Sequence, residues 1–335
     1  MNQNDFEILN VADIPTPALA VYPAVVKSNV QSAVAIAGNN ILRPHIKTCK
    51  TPELVQMMQD AGITHFKCAT IAEAELLGMQ KATDVLLACQ PVDINIKRLK
   101  QLIITYTETV FSCLVDNITT LAALDENFDE APIAVFIDLN AGMNRTGTTL
   151  AQASNLMDAC LKTKGVLLKG IHVYDGDINN LDITQRTAYA DKVYEKANIA
   201  KEKAAQKTGR KMELVIGGTP TFAIHAKQQA VQCSPGTFVL WDAGYSSFSD
   251  LPFTVAAVLI TRIISIIDDK LLCLDLGHKA VASENPLHKR LKFLTDDPVE
   301  LISHSEEHLV VKVPDTANNN IEDVWYGVPY HICLR

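Results

Sequence analysis

No stretch of the 335 residues approaches the ~20 consecutive apolar side chains needed to cross a bilayer. There is no basic cluster either, and the net charge of -8 argues against a nucleic-acid partner. The opening Met1-Asn2-Gln3-Asn4-Asp5 is polar and acidic, without the positive and apolar regions of a signal peptide, so a cytoplasmic location is expected. The eight cysteines show no paired spacing. Cys68, Cys89, Cys113, Cys160 and Cys273 lie in apolar segments and read as reduced core residues. Repeats, low-complexity tracts and long linkers are absent, and Asn318-Asn319-Asn320 reads as a turn.

What is present is a hydrophobic content of 48%, enough for one barrel-sized core and a smaller domain. From about residue 16 to about residue 245, short apolar strands alternate with amphipathic helices, the pattern of βα units around a parallel sheet. Candidate strands begin near Ala18, Leu42, His65, Asp84, Val110, Ala134, Leu167 and Glu213. Eight units predict an α/β fold of the (β/α)8 TIM-barrel type, with either the strand at Ala18 or one near Ala230 completing the ring. Thr51 is placed to cap a helix over residues 51 to 60, with Pro52 in its first turn. After Asp250 the texture turns to alternating β-branched runs, Phe253 to Ile267, Leu271 to Leu276, Leu309 to Val313 and Val324 to Cys333, which predict an all-β second domain. The expected division is residues 1–249 and 250–335, with the first strand able to join the β domain.

Barrel enzymes place their chemistry at the C-terminal ends of strands, which directs attention to four segments and to the run Leu42-Arg43-Pro44-His45-Ile46-Lys47-Thr48-Cys49-Lys50. A lysine at the end of an inward strand loses hydration and has cationic neighbours, so its amine becomes nucleophilic and able to form a Schiff base. The plainer reading is a surface loop with three positive charges. Ala141-Gly142-Met143-Asn144-Arg145-Thr146-Gly147 follows the strand Ala134 to Leu139 and, read alone, is a glycine-bracketed turn with an exposed arginine. In Gly170-Ile171-His172-Val173-Tyr174-Asp175-Gly176-Asp177, period-two alternation sends His172 and Tyr174 to one side, where both could face the barrel interior. Ile216-Gly217-Gly218-Thr219-Pro220-Thr221 offers backbone N–H groups, a helix N-terminus and two hydroxyls to an anion, although most glycine pairs simply permit a tight turn. Ser234-Pro235-Gly236-Thr237 runs on to Asp242-Ala243-Gly244-Tyr245. Far downstream, His331 and Cys333 are spaced by two in a segment read as a strand, which projects imidazole and thiol to one face; two ligands alone make an open site.

The first of these runs closely resembles the R-P-H-x-K-T-H-K segment of the D-threonine aldolase and D-serine dehydratase family, alanine racemase-like enzymes of fold type III that use pyridoxal 5'-phosphate (PLP). The similarity extends from Ile14-Pro15-Thr16-Pro17 to Cys333, with its motifs in family order. It implies that Lys47 is the PLP lysine, with His45 among the cofactor contacts. Arg145 would approach the PLP phenolate oxygen, His172 and Tyr174 would lie against the ring, and Gly217, Gly218, Thr219, Gly236 and Tyr245 would hold the phosphate side. His331 and Cys333 match the H-x-C metal pair of D-serine dehydratases, where D-threonine aldolases tend to show H-x-D, so a divalent metal is implied, zinc ahead of manganese. Ser305-Glu306-Glu307-His308 is shared with the family and is expected either to supply carboxylates behind the metal ligands or to order the metal strand.

Two positions depart from the pattern. Cys49 and Asp177 stand where the family usually has histidine, and Asp177 could itself accept a proton. Relatives also continue for a few strands beyond H-x-C, where this chain stops at Leu334-Arg335, so the metal strand is expected to lack its usual neighbours. Lys47, His172 and Asp177 are the expected catalytic groups. The implied activity is lysis of a small β-hydroxy D-amino acid, with PLP as electron sink and the metal on the substrate hydroxyl. D-serine dehydration to pyruvate and ammonia stands slightly ahead of D-threonine cleavage to glycine and acetaldehyde. A racemase would need a second acid/base, for which Tyr326 and Tyr330 are available, and a non-catalytic PLP carrier would ordinarily be a single barrel. The resemblance also implies a homodimer.

Overall fold

The computed structural model describes residues 3–178 and 181–333. Among the described residues fifteen strands are formed: β1 Ala18–Val21, β2 Ile41–Leu42, β3 His65–Cys68, β4 Asp84–Leu87, β5 Val110–Val115, β6 Ile133–Asp138, β7 Val166–Val173, β8 Glu213–Ile216, β9 Gln232–Cys233, β10 Ala257–Ile266, β11 Leu271–Leu274, β12 Leu291–Phe293, β13 Glu300–His304, β14 Leu309–Lys312 and β15 Val324–Pro329. The chain divides into two compact units, Val30–Phe238, and Met1–Asn29 together with Val239–Arg335.

The first unit is a ring of eight parallel strands in the order β2-β9-β8-β7-β6-β5-β4-β3. The remaining gap, between β2 and β3, is spanned by a single parallel bridge from His45 to Lys67, with the Lys67 amide donating to Pro44 O at 2.8 Å. Ala18 therefore does not begin a barrel strand, and the two-residue strand at Gln232–Cys233 completes the ring. The reason is pairing: β1 lies antiparallel to β10, Ala18 opposite Ile260, and belongs to the other unit.

Helices lie between the strands and carry local stop and start signals. Thr70 caps Ile71–Met79 by accepting from the Glu73 amide, and Glu73 reaches back to the Ala69 amide at 2.7 Å. Thr149 and Gln152 form a full capping box for Leu150–Cys160, and left-handed Gly209 ends Ile183–Thr208. Pro52 does begin Pro52–Asp60, but the Thr51 side chain makes no capping bond.

Inside the barrel the floor is ionic. Arg43, fully buried, donates to Asp84 Oδ1 at 2.7 Å, to Gln232 Oε1 and to Phe66 O, while Lys169 Nζ approaches Asp84 Oδ2 at 2.6 Å. Burial alone would raise the Asp84 pKa, but Arg43 and Lys169 hold it below the usual carboxylate value. An apolar layer of Leu86, Leu114, Phe136 and Val215 belongs to the same barrel.

The second unit carries an antiparallel sheet in the order β12-β15-β10-β11-β14-β13, with β1 added on β10. Its core gathers Leu259, Ile263, Leu272, Leu274, Leu276, Leu291, Leu309 and Val311, the buried half of alternating strands. Among the described residues no helix is long and apolar enough to cross a membrane.

Candidate active site

Lys47 follows β2 in the short 3-10 turn Ile46–Thr48, and His45 sets that turn by accepting the Lys47 amide proton on Nδ1 at 3.2 Å. An accepting Nδ1 requires an unprotonated nitrogen. Burial first, then the charges of Lys67 and Lys47, push the His45 pKa well below its ordinary 6.5, which keeps that nitrogen free. Cys49 is buried and gives its thiol hydrogen to Ile46 O, and burial raises its pKa to about 12. As a neutral, inward-folded thiol it cannot act as the proton-accepting or cationic group a histidine would be there.

Three cations converge on one ring. Lys47 Nζ lies 5.7 Å, Lys67 Nζ 5.6 Å and Arg145 Cζ 5.4 Å from the centroid of Tyr174. Lys67, from β3, is 2% exposed, and burial followed by the neighbouring Lys47 charge lowers its pKa to about 7. Lys67 escapes notice in the sequence because it sits inside a strand rather than after one. The available signal was a lysine within a four-residue strand, His65-Phe66-Lys67-Cys68, in an otherwise buried setting.

The Arg145 loop is anchored to the barrel wall. Asp138, the last residue of β6, accepts from Thr146 Oγ1 and from Gln90 Nε2, each at 3.0 Å; Gln90 also bonds Asp116, which accepts the Gly147 amide. The other Asp138 oxygen lies 2.7 Å from His172 Nδ1. Burial outweighs the carboxylate and lowers the His172 pKa, while hydrogen bonds from His172, Thr146 and Gln90 overcome burial and hold Asp138 low. The pair is thus a neutral imidazole donating to a carboxylate, and His172 Nε2 is left buried without a hydrogen-bond partner.

On the strand next to β7, the loop after β8 forms a glycine-lined cup. Gly217 adopts φ +89°, and a Cβ there would stand 2.8 Å from His225 Cδ2, so this position requires glycine; one on Gly218 would stand 3.0 Å from Tyr174 Cε2 and would crowd that ring. Thr219 Oγ1 accepts the amides of Gly236 and Thr237 at 3.1 Å each, which joins the cup to the loop after β9. From behind, buried Asp175 accepts a hydrogen bond from Thr221 Oγ1 at 2.9 Å on one oxygen and faces His225 Nε2 at 2.7 Å with the other. The helix that follows is short, Thr219–Thr221 as a 3-10 turn and Phe222–His225, so it brings little helix dipole, and the Gly217 and Gly218 amides already donate to Val173 O at 3.1 Å and Thr221 Oγ1 at 3.3 Å.

Asp177 is exposed, and its Oδ2 accepts from Tyr189 Oη at 2.9 Å. Tyr245 lies in the other unit, its ring against Trp241 and Phe248.

In that second unit, β15 ends at Pro329, so His331 and Cys333 lie beyond the strand and strand alternation does not bring them together. They meet nonetheless: a hydrogen bond with Cys333 raises the His331 pKa, and Glu284 Oε1 lies 3.3 Å from its Nε2. Asp242, pushed up to about 6 by burial, accepts the Tyr245 and Ile332 amides and so ties this segment in place. Glu306 and Glu307 pair with exposed Lys279 at 3.0 and 2.7 Å. Leu334 and Arg335 lie outside the described residues. Among the described residues no three His, Cys, Asp or Glu side chains gather as metal ligands.

Residues 22–242 match the family model of the alanine racemase N-terminal domain. The chain belongs to this family. Residues 256–335 match a second model, a putative serine dehydratase domain. Among solved structures, the D-threonine aldolase of Filomicrobium marinum is 25% identical over 96% of this chain and 89% of its own, with a TM-score of 0.84. D-threo-3-hydroxyaspartate dehydratase from Delftia sp. HT23 is 20% identical over 96% and 92%, with a TM-score of 0.80, and alanine racemase from Corynebacterium glutamicum 13% over 94% and 89%, at 0.69. No match is found among curated proteins. The resemblance to fold type III PLP enzymes thus holds over both parts of the chain.

PLP suits the residues present. It carries a phosphate, a phenolate and an aldehyde, and the barrel offers a glycine cradle that a Cβ would crowd, a cluster of cations and a lysine amine, with His172 Nε2 still lacking a partner.

Proposed function

We propose that the protein is a PLP-dependent lyase acting on a small β-hydroxy D-amino acid, with D-serine dehydration slightly preferred over D-threonine cleavage. The observation that carries this reading is the convergence of Lys47, Lys67 and Arg145 on Tyr174 beside a neutral His45. Bound PLP supplies an electron sink for the bonds at the substrate α-carbon. In this reading Lys47 holds the cofactor and its freed Nζ moves the α-proton, His45 orients the Lys47 turn, and Arg145 faces the phenolate. His172 and Tyr174 line the ring, while Gly217, Gly218, Thr219 and Gly236 hold phosphate, with Tyr245 as a further contact. Asp177 is retained as an acid/base candidate.

A divalent metal, zinc ahead of manganese, is proposed at His331 and Cys333, where it would supply Lewis-acid chemistry. A D-threo-3-hydroxyaspartate dehydratase mutant, with a cysteine replaced by alanine, is described in a metal-free form. Residues 1–249 would be the cofactor domain and 250–335 the metal domain, in a cytoplasmic homodimer. Light scattering tests the dimer.

Aldol cleavage is the second reading, favoured by the likeness to the Filomicrobium aldolase. The test is to load the protein with PLP and zinc or manganese, offer D-serine and D-threonine separately, and identify products by NMR. Pyruvate and ammonia from D-serine support dehydration; glycine and acetaldehyde from D-threonine support cleavage. Borohydride reduction with peptide mapping should place the cofactor on Lys47, and a protein without that adduct rejects the PLP reading.

A further inference from the structure

Lys67 is the buried titratable group to which the reading above gives no task. It stands on β3, bridged through its backbone to His45, with its ammonium 5.6 Å from the Tyr174 centroid. The two carboxylates that most favour its charge, Asp138 and Asp175, are already engaged. Asp138 serves His172, Gln90 and Thr146, and Asp175 serves Thr221 and His225. Among the described residues Lys67 Nζ has no hydrogen-bond or ion-pair partner, and 2% of the residue is exposed. A buried ammonium with cations on either side is costly unless an anion joins it. Lys47 and Arg43 act in the opposite sense, and Arg145 adds a further cation on the Tyr174 ring, so the missing charge is left for a ligand to bring.

We propose that Lys67 is the cationic contact for an anionic oxygen that a bound ligand brings into the barrel, either the phenolate of the cofactor or the carboxylate of the amino acid. The proposal rests on the PLP reading. Near neutral pH the lysine is divided between amine and ammonium, since its pKa is about 7, and an anionic oxygen at Nζ recruits the proton. The contact therefore forms with proton uptake, and it leaves the cation silent when no ligand is present.

The test compares wild type, Lys67→Met, which keeps the stem in the barrel wall, and Lys67→Arg, which restores charge. 4'-Deoxypyridoxine 5'-phosphate keeps the phenol and phosphate but lacks the aldehyde, so its binding reads the non-covalent grip alone. If the phenolate is the partner, Lys67→Met weakens the analogue ~10- to 100-fold, the span of a hydrogen bond to a charged group, and Lys67→Arg recovers part of it. If the substrate carboxylate is the partner, analogue affinity is unchanged, and KM for the active D-amino acid rises by a similar factor while kcat moves less. A folded Lys67→Met protein that binds analogue and substrate as wild type does overturns the proposal. Should that variant not fold, calorimetry on the wild type in two buffers of different ionisation enthalpy decides. Binding of the analogue or the amino acid near pH 8 must take up protons, and no uptake with either overturns it. Absence of any borohydride-fixed adduct on wild-type Lys47 is a separate result that sinks the PLP reading itself.

Discussion

His172 Nδ1 lies 2.7 Å from Asp138 Oδ1, while the opposite ring nitrogen is buried with no partner. The carboxylate fixes which nitrogen carries the hydrogen, and the free lone pair is the part of the ring left for a ligand.

Asp138→Asn should therefore do more than weaken one bond. Gln90 and Thr146 both donate to the second oxygen, so an amide nitrogen placed there meets donors. A loss of about 1–3 kcal/mol, the cost of leaving buried polar groups unsatisfied, is expected in urea unfolding, together with a strong fall in turnover. The folded-state pKa of Asp138 is depressed, so its stabilising contribution is present above the unfolded carboxylate value and lost as pH falls through the folded one. Wild type should lose stability in that acid range more steeply than the variant.

Lys67 has the opposite consequence. Its folded pKa of about 7 lies below the 10.5 of a free lysine, so between those values the unfolded chain binds more protons and stability rises with pH; below about 7 the full penalty is present. In cofactor-free protein, urea midpoints from pH 6 to 9 should climb more for wild type than for Lys67→Met. Parallel curves would show that this lysine is not desolvated as described.

Thr221→Val removes the hydroxyl that donates a hydrogen bond to Asp175 and accepts the Gly218 amide at 3.3 Å. Affinity for PLP should drop ~10-fold, as for one hydrogen bond, whereas affinity for pyridoxal, which has no phosphate, should hardly change. Equal losses for both ligands would argue that the cup supports the barrel rather than the phosphate.

Asp84→Asn tests the barrel floor. It leaves fully buried Arg43 without its carboxylate, and breaking such a pair costs about 3–5 kcal/mol. The double variant Arg43→Met with Asp84→Asn should recover part of the loss in chemical denaturation, because no uncompensated charge then remains at position 43.

For the metal, purified protein exposed to zinc should retain about one ion per chain by elemental analysis, as expected for a single site. His331→Ala and Cys333→Ala should each abolish retention while leaving PLP binding at Lys47 intact. Retention by both variants would remove the metal assignment from this pair.

Much of this was legible in the sequence. The starts read near Leu42, His65, Asp84, Val110, Ala134, Leu167 and Glu213 fall at or beside those of β2 to β8, because buried strands in a parallel sheet are short apolar runs between helices with clear caps. β9 has only two residues and so no period to detect, and Ala18 reads as apolar in either sheet; only long-range pairing with β10 decides it. β12 alternates but has only three residues, too few to show a period, and β13 is largely exposed without clean alternation. In the site, residues following strands were found by position and by motif. Lys67, Asp138, Asp175 and His225 were not, since each acts through a partner 34 or more residues away or through burial that local pattern does not report.

The ring is joined least between β2 and β3, where one bridge does the work that several paired residues do between neighbouring strands. That joint lies between His45 and Lys67, two residues from Lys47. Local opening begins where backbone pairing is sparsest, so amide exchange at this seam should be faster than in β4 to β7, and ligands that bridge Lys47 and Lys67 should slow it. The barrel's mechanical weak point and its chemistry share an address, and a bound cofactor would then act as the clasp.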